Sequence, residues 1–277
     1  MLNITLSQGR IGDRFDATIE GAARTARALI DACETSIVSI GTPAPAVKDD
    51  WRASLAQAHD TLVALGDAIA EGLASNAFPV MVANTCSASI SSLPRVAASY
   101  PLAVVLWIDA HGDFNTPATT QSSYLGGMAL AAACGLWDSG HGAGLDPRQV
   151  VLIGARDIDP PEAALLRGAG VRVIPPSEAT PKAVLEAVGD ADVWIHIDWD
   201  VLEPGFVPAD YAVPDGIVPT QLRLIFEALP LDRVLGLEIA EFHPSSDETE
   251  NEAALSTILE AISPLIKPHF NGVASVV

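Results

Sequence analysis

Residues 103–113 read Ala-Val-Val-Leu-Trp-Ile-Asp-Ala-His-Gly-Asp, and residues 193–204 read Val-Trp-Ile-His-Ile-Asp-Trp-Asp-Val-Leu-Glu-Pro. Each is a short apolar run with no polar alternation, broken abruptly by acidic residues. A strand buried on both faces reads this way, which is the pattern of a parallel sheet covered by helices. The same kind of run recurs along the chain. The expected strands are 2–6, 36–40, 78–82, 103–108, 150–153, 171–174, 193–197 and 234–239. Helical patterns lie between them at 16–33, 50–74, 125–134, 161–167, 181–188, 220–228 and 248–266, with Thr220 as the N-cap of its helix. End-to-end alternation predicts one α/β domain over 1–277, with a mainly parallel eight-stranded sheet and helices on both faces. The segment from Leu202 to Pro219, with four prolines, is a long loop following a strand end, where α/β proteins bind ligands.

Bulk properties narrow the function. The 277 residues carry a formal charge of −20, which argues against nucleic-acid binding. Apolar stretches stop short of a membrane span, the N-terminus lacks signal-peptide character, and the tail at 271–277 carries no targeting signal. Three cysteines, Cys33, Cys86 and Cys134, cannot all pair, so a reducing cytoplasm is the expected setting. Cys33 and Cys134 fall on helices as packing residues. His59 and His269 receive no role, His141 is expected to be exposed, and His243 is read as packing near the site.

The acidic residues at the two strand ends need another explanation. Residues two apart on a strand share a face, so Asp109, His111 and Asp113 can converge at one strand end, and Asp198 and Asp200 at the other. Four aspartates would repel one another unless cations compensate them. An oxygen-rich set with imidazole suits manganese or magnesium. A pair of such ions acidifies water and supplies hydroxide at neutral pH.

These blocks resemble the arginase, agmatinase and formiminoglutamase family. Asp109-Ala-His-Gly-Asp113 is similar to its D-A-H-x-D, and 196–204 to its S-x-D-x-D-x-x-D-P. Gly236-Leu-Glu-Ile-Ala-Glu-Phe-His-Pro244 is similar to a third block, whose guanidinium-pairing glutamate is here Glu241. The resemblance implies a three-layer arginase-like fold, two manganese ions per chain and hydrolysis of a small guanidino amino acid. By it, Asp109, Asp113, Asp198 and the residue at the position of Cys86 hold one ion, and Asp109, His111, Asp198 and Asp200 the other. Asn115, Thr120 and Ser122 match the positions that hold an α-carboxylate, and Asp159, with Asp157 beside it, those that read an α-amino group. Family members often form trimers or hexamers, which leaves a homo-oligomer open.

Three departures matter. Cys86 stands where the family has a metal-binding histidine. It is either a soft thiolate ligand on a weakened manganese position or a buried neutral thiol. His196 replaces a serine, in a supporting or packing role. Gly126 replaces a proton-transferring histidine and Tyr124 an asparagine, so Gly126 leaves a vacancy that accommodates an N-hydroxylated guanidine. Ordinary arginase activity is expected to suffer. The combination resembles the branch of the family that converts Nω-hydroxy-L-arginine to hydroxyurea and L-ornithine in D-cycloserine biosynthesis, with Asp113 as the proton relay to the leaving amine. A divergent arginase and a non-catalytic binding protein of the same fold are the competing readings.

Overall fold

The computed structural model describes residues 1–33, 35–75 and 77–269; the tail at 271–277 lies outside them. Eight strands, β1 (Leu2–Ser7), β2 (Ile37–Ile40), β3 (Phe78–Val82), β4 (Val104–Ile108), β5 (Val150–Ile153), β6 (Arg172–Ile174), β7 (Val193–Asp198) and β8 (Val234–Ala240), form one sheet in the order β2-β1-β3-β8-β7-β4-β5-β6. Every pairing is parallel. The connections carry α1 (Asp16–Cys33), α2 (Trp51–Ala74), α3 (Ser89–Ser99), α4 (Ala129–Ala133), α5 (Pro160–Ala169), α6 (Pro181–Val188), α7 (Pro219–Ala228) and α8 (Glu248–Ile266).

The pleat explains the unbroken apolar runs. Along β4, Leu106 and Ile108 pack into one core with side chains of α1, α6, α7 and α8. Val105 and Trp107 pack into a second core with α2, α3, α4 and α5. Both faces are covered, so alternate positions need no polar residue. The result is a three-layer sandwich. Among the described residues no helix is long and apolar enough to cross a membrane.

Most expected elements form within two residues of their expected ends. Three differ. Helix α7 begins at Pro219 with Val218 at the N-cap position and no side-chain cap, so Thr220 lies inside the first turn; proline is preorganised for the first helical position. The pattern at 125–134 breaks into a 3-10 turn at Gly126–Met128 and the short α4. Helix α3 was not expected from sequence, because its serines and Pro94 hide the apolar stripe of Ile90, Leu93 and Val96.

Two features shape the floor and rim of the site. Arg156, after β5, donates to the carbonyls of Asp200 (2.9 Å), Val201 (3.2 Å), Val213 (2.6 Å) and Pro214 (3.0 Å), tying the proline-rich loop to the end of β7. Gly21 lets α1 lie directly against the backbone of Phe242, just beyond β8. A Cβ at Gly21 would collide with the Phe242 carbonyl, which a backbone cannot easily yield. Gly21→Ala is therefore expected to destabilise the protein by about 2 kcal/mol or more, read as a thermal midpoint several degrees below wild type, whereas Gly168→Ala, with open space around it, should leave the midpoint near its original value.

Candidate metal centre and substrate cavity

Strands β3, β8, β7 and β4 are consecutive at the middle of the sheet, and their carboxyl ends open on one cavity of about 210 Å³. Cys86 follows β3, Glu241 follows β8, Asp198 ends β7 with Asp200 beyond it, and Asp109, His111 and Asp113 follow β4. Parallel connectivity thus gathers residues far apart in sequence. All but His111 are buried.

Two groups of ligand atoms are close enough to share a cation: Cys86, Asp109 and Asp198 in one, and Asp109, His111 and Asp200 in the other. Asp109 belongs to both. Its neighbours hold it firmly, since Trp107 Nε1 donates to Oδ2 (2.9 Å) and the His111 amide to Oδ1 (2.7 Å). The Asp200 amide donates to Asp198 Oδ1 (2.9 Å), and the Ala110 amide to Asp200 Oδ1 (3.0 Å). Asp113 lies outside both close groups but lines the same cavity. Its backbone is left-handed (φ 46°), and its Oδ2 is buried without a hydrogen-bond partner. An orphaned carboxylate oxygen beside two such clusters is the environment a cation completes. The residues fit a metal pair.

The protonation pattern agrees. Burial and then the neighbouring carboxylates raise Asp113 and Asp198 well above the ordinary range. Burial likewise moves Asp200 up to about 6 and Glu162 to about 7. Burial opposes the charging of His111, but its bonds to Asp109 and Asp200 overcome that and raise it; Nδ1 is 2.9 Å from Asp200 Oδ2. Burial also opposes ionisation of Asp109, yet His111 holds it below its usual value. The raised groups, His111, Asp113, Asp198 and Asp200, thus favour binding protons that offset part of the concentrated negative charge, while Asp109 stays ionised more readily.

Cys86 Sγ lies 3.3 Å from Asp198 Oδ2 and 3.3 Å from His196 Nε2. His196 is fully buried and stacked on Trp107, with ring centroids 3.7 Å apart. Its Nδ1 meets Ser89 Oγ at 3.1 Å, and Ser89, Ser92 and Trp194 donate to Glu238 (3.2, 2.7 and 3.1 Å). The replacement of serine by histidine thus builds a connected polar column beneath the thiol. Burial and then four nearby carboxylates, Asp198 first, push the thiol up. Both effects favour the neutral thiol over the thiolate.

The residues expected to read an amino-acid end are brought together in part. Asn115, Ser122, Asp157 and Asp159 line the cavity, and Asn115 Oδ1 is buried without a partner. Thr120 does not line it; its Oγ1 accepts from the Ser123 amide at 3.1 Å and shapes the loop. Asp159 is at the N-cap position of α5 without capping through its side chain, which leaves the carboxylate free for the cavity.

The vacancy expected at Gly126 is not there. The Tyr124 ring fills it: a Cβ on Gly126 would stand 2.6 Å from Cε1 and 2.9 Å from Cζ. The Tyr124 hydroxyl donates to Glu241 Oε1 at 3.0 Å, and the Cys86 amide reaches the same oxygen at 3.0 Å. Sequence reasoning also missed Arg14, whose guanidinium lies 4.9 Å above the Tyr124 ring and donates to the Ser122 carbonyl at 2.8 Å. Tyr211, Asp210 and Glu162 complete the lining. Glu162 accepts from the Phe114 amide (2.8 Å) and was hidden by its position in an ordinary-looking helix. His243 Nδ1 lies 2.7 Å from Asp210 Oδ2 without the alignment of a hydrogen bond. His141 is half-buried against His59 instead of exposed, with ring centroids 5.0 Å apart. Cys33 is buried at the end of α1, and Cys134 is half-buried after α4.

Comparison with known proteins places this geometry. A sequence model of the Arginase family matches residues 13–263. The N(omega)-hydroxy-L-arginine amidinohydrolase of Streptomyces lavendulae is 56% identical over 264 residues, covering 95% of this chain and 97% of that protein. The arginase of Bacillus caldovelox is 27% identical over 223 residues, 74% of each chain. Among solved structures, an arginase from Bacillus subtilis superposes over 100% of both chains with a TM-score of 0.83 at 22% identity. Proclavaminate amidino hydrolase from Streptomyces clavuligerus superposes with a TM-score of 0.71 at 20% identity, over 97% of this chain and 92% of that one. These two structural likenesses speak for the fold.

The raised acids fix a pH response. A carboxyl whose folded pKa lies above its unfolded value contributes stability that is complete below the unfolded value and is lost as pH rises through the folded one. For Asp200 that window runs from 3.8 to about 6, and for Glu162 from 4.5 to about 7. His111, also raised, acts in the same direction, while Asp109, lowered, acts only in acid below this range. The metal-free protein is expected to lose thermal stability from pH 5 to pH 7.5. A divalent metal displaces the protons, so its stabilising shift should be larger at pH 7.5 than at pH 5. Melting curves with and without metal at both pH values check this; a metal shift independent of pH would contradict it.

Proposed function

The chain belongs to the arginase family, whose members are binuclear metal enzymes, and from that premise we propose that it hydrolyses Nω-hydroxy-L-arginine to hydroxyurea and L-ornithine. The observation that carries the substrate is the 56% identity, across nearly the whole length, to an amidinohydrolase named for that compound. The site supports it with a guanidinium-pairing glutamate, a cation-binding floor and an amino-acid-reading lip in one cavity. We read the metal pair as manganese, given an oxygen-dominated donor set, with Cys86 making its position the softer one. The pathway implied by the sequence resemblance is D-cycloserine biosynthesis.

When bound, the metal pair supplies a hydroxide nucleophile at neutral pH. The rest is the work of side chains. By the family resemblance, Asp109, Asp198, Cys86 and Asp113 would hold one cation, and Asp109, Asp198, His111 and Asp200 the other; the close groups Cys86, Asp109 and Asp198, and Asp109, His111 and Asp200, support the two positions. Glu241 Oε1 is already engaged by Tyr124 and the Cys86 amide, so Oε2 is the oxygen presented to the guanidino group. Its left-handed backbone (φ 64°) turns the carboxylate back over the cavity. Burial, with repulsion from Asp13, raises Glu241 well above the usual range, so a cationic or hydrogen-bonding guanidine relieves a strained charge on binding. Asn115 and Ser122 bind the α-carboxylate and Asp159 and Asp157 the α-ammonium. That fixes the guanidino carbon over the floor.

Attack on that carbon is followed by cleavage of its bond to the ornithine nitrogen, which must gain a proton as it leaves. We assign the relay of that proton to Asp113, which lines the cavity and whose Oδ2 is buried without a hydrogen-bond partner. The N-hydroxyl group lowers the basicity of the guanidine and makes its carbon easier to attack. That offsets the lack of the imidazole that Gly126 replaces.

Manganese-loaded protein should release ornithine and hydroxyurea from Nω-hydroxy-L-arginine at a rate far above urea release from L-arginine. Preference for arginine would make this a divergent arginase, and turnover of neither, with little bound metal, a binding protein. Asp109→Asn should lower turnover by roughly 10³-fold or more and reduce bound metal, since both cation positions lose a ligand. With cobalt(II) in place of manganese, thiolate-to-metal absorption is expected in wild type and its disappearance in Cys86→Ser. Identical spectra would remove Cys86 from the ligand set.

A further inference from the structure

The contact between Tyr124 and Gly126 has no counterpart in the metal floor or in the amino-acid lip. Gly126 does not have positive φ, so backbone conformation does not demand a glycine there. What demands it is the Tyr124 ring, which would lie 2.6 Å from a Cβ at Cε1 and 3.1 Å at the hydroxyl oxygen. The two positions act as one unit: the side chain missing from the first is replaced by the ring of the second. The phenol is held in place. Its hydroxyl donates to Glu241 Oε1 at 3.0 Å, Arg14 lies over its face at 4.9 Å, and Tyr211 borders it with centroids 5.9 Å apart.

We propose that Tyr124 is the specificity-determining residue of the site: seated against Gly126 and committed as a donor to Glu241, its oxygen accepts a hydrogen bond from the N-hydroxyl group of the substrate. The assignment rests on the function proposed above. The chemistry follows from counting donors. A phenol has one proton and lone pairs to spare, and Glu241 takes the proton. What remains facing the cavity is an acceptor beside the carboxylate that pairs with the guanidino group. An N-hydroxyguanidine reaches one atom further from its carbon than a guanidine does, and it ends in an O–H donor. Unhydroxylated arginine ends one atom short and leaves that acceptor unmet. A site built to bond a substrate hydroxyl rejects the analogue lacking it for this reason. Glycine at 126 is then required by the ring and does not mark a lost function.

Tyr124→Phe keeps the ring, so folding and the Gly126 contact survive, and removes only the hydroxyl. With manganese-loaded protein, kcat/KM for Nω-hydroxy-L-arginine is expected to fall about tenfold or more. The inhibition constant of L-arginine, measured in the same assay, should move less than about twofold, because arginine never used that oxygen. Metal content should not change. Gly126→Ala, which displaces the ring while keeping the phenol, should produce the same selective loss. If Tyr124→Phe weakens arginine binding and hydroxyarginine turnover equally, the residue acts only by steadying Glu241 and the assignment is overturned. Unchanged turnover in Tyr124→Phe overturns it too, while leaving the proposed function intact. Wild-type protein that ignores hydroxyarginine would overturn both.

Discussion

Concentrated negative charge at the carboxyl ends of β4 and β7 is the constraint from which the rest of the molecule follows. Asp113, Asp198 and Asp200 are buried and line one cavity, and the buried Asp109 lies among their neighbours. Buried carboxylates without compensation are strongly unfavourable. Local donors meet part of that demand, through Trp107, the amides of residues 110, 111 and 200, and the His111 ring. The remainder calls for cations. A parallel sheet suits the task, because successive strands deliver their carboxyl ends to the same edge and the intervening helices seal the apolar faces. Catalytic potential and structural liability are here the same feature.

Around that floor, the departures from the family pattern are linked. Cys86 puts a thiol where an imidazole is expected, and His196 puts an imidazole beside it. The Cys86 amide also donates to Glu241, so position 86 helps hold the carboxylate of position 241. Tyr124 binds the same carboxylate oxygen from the other side. The departures at positions 86 and 124 therefore converge on Glu241 Oε1, and neither change is isolated from the other.

Much of this could be read in the chain. Strands buried on both faces announce themselves as Val/Ile/Leu runs, and acidic residues at alternate positions beyond 108 and 197 mark the site because nothing structural requires them there. The assignments that failed depend on neighbours that sequence does not show. Pro94 and the serines of α3 argued against a helix that packing against α2 supports. The start of α7 shifted because proline prefers the first helical turn. Gly126 looked like a gap, since only the fold reveals that Tyr124, two residues earlier, bends back over it. The contact between Cys86 and His196 spans 110 residues and has no local signature.

The distance spanned by these contacts bears on how the molecule comes into being. The Cys86 amide meets Glu241 across 155 residues, and the ligands come from strands made early and late in the chain. Every strand pairing is parallel and needs a crossover, so most native contacts are long-range, a topology that folds slowly. During synthesis, an emerging chain holds Cys86, Asp109, His111 and Asp113 well before Asp198, Asp200 and Glu241 exist. A half-made site would offer metal only an incomplete set of ligands. A cation held by both β4 and β7 residues would therefore need the central strands in register, and its binding would distinguish complete molecules from truncated ones.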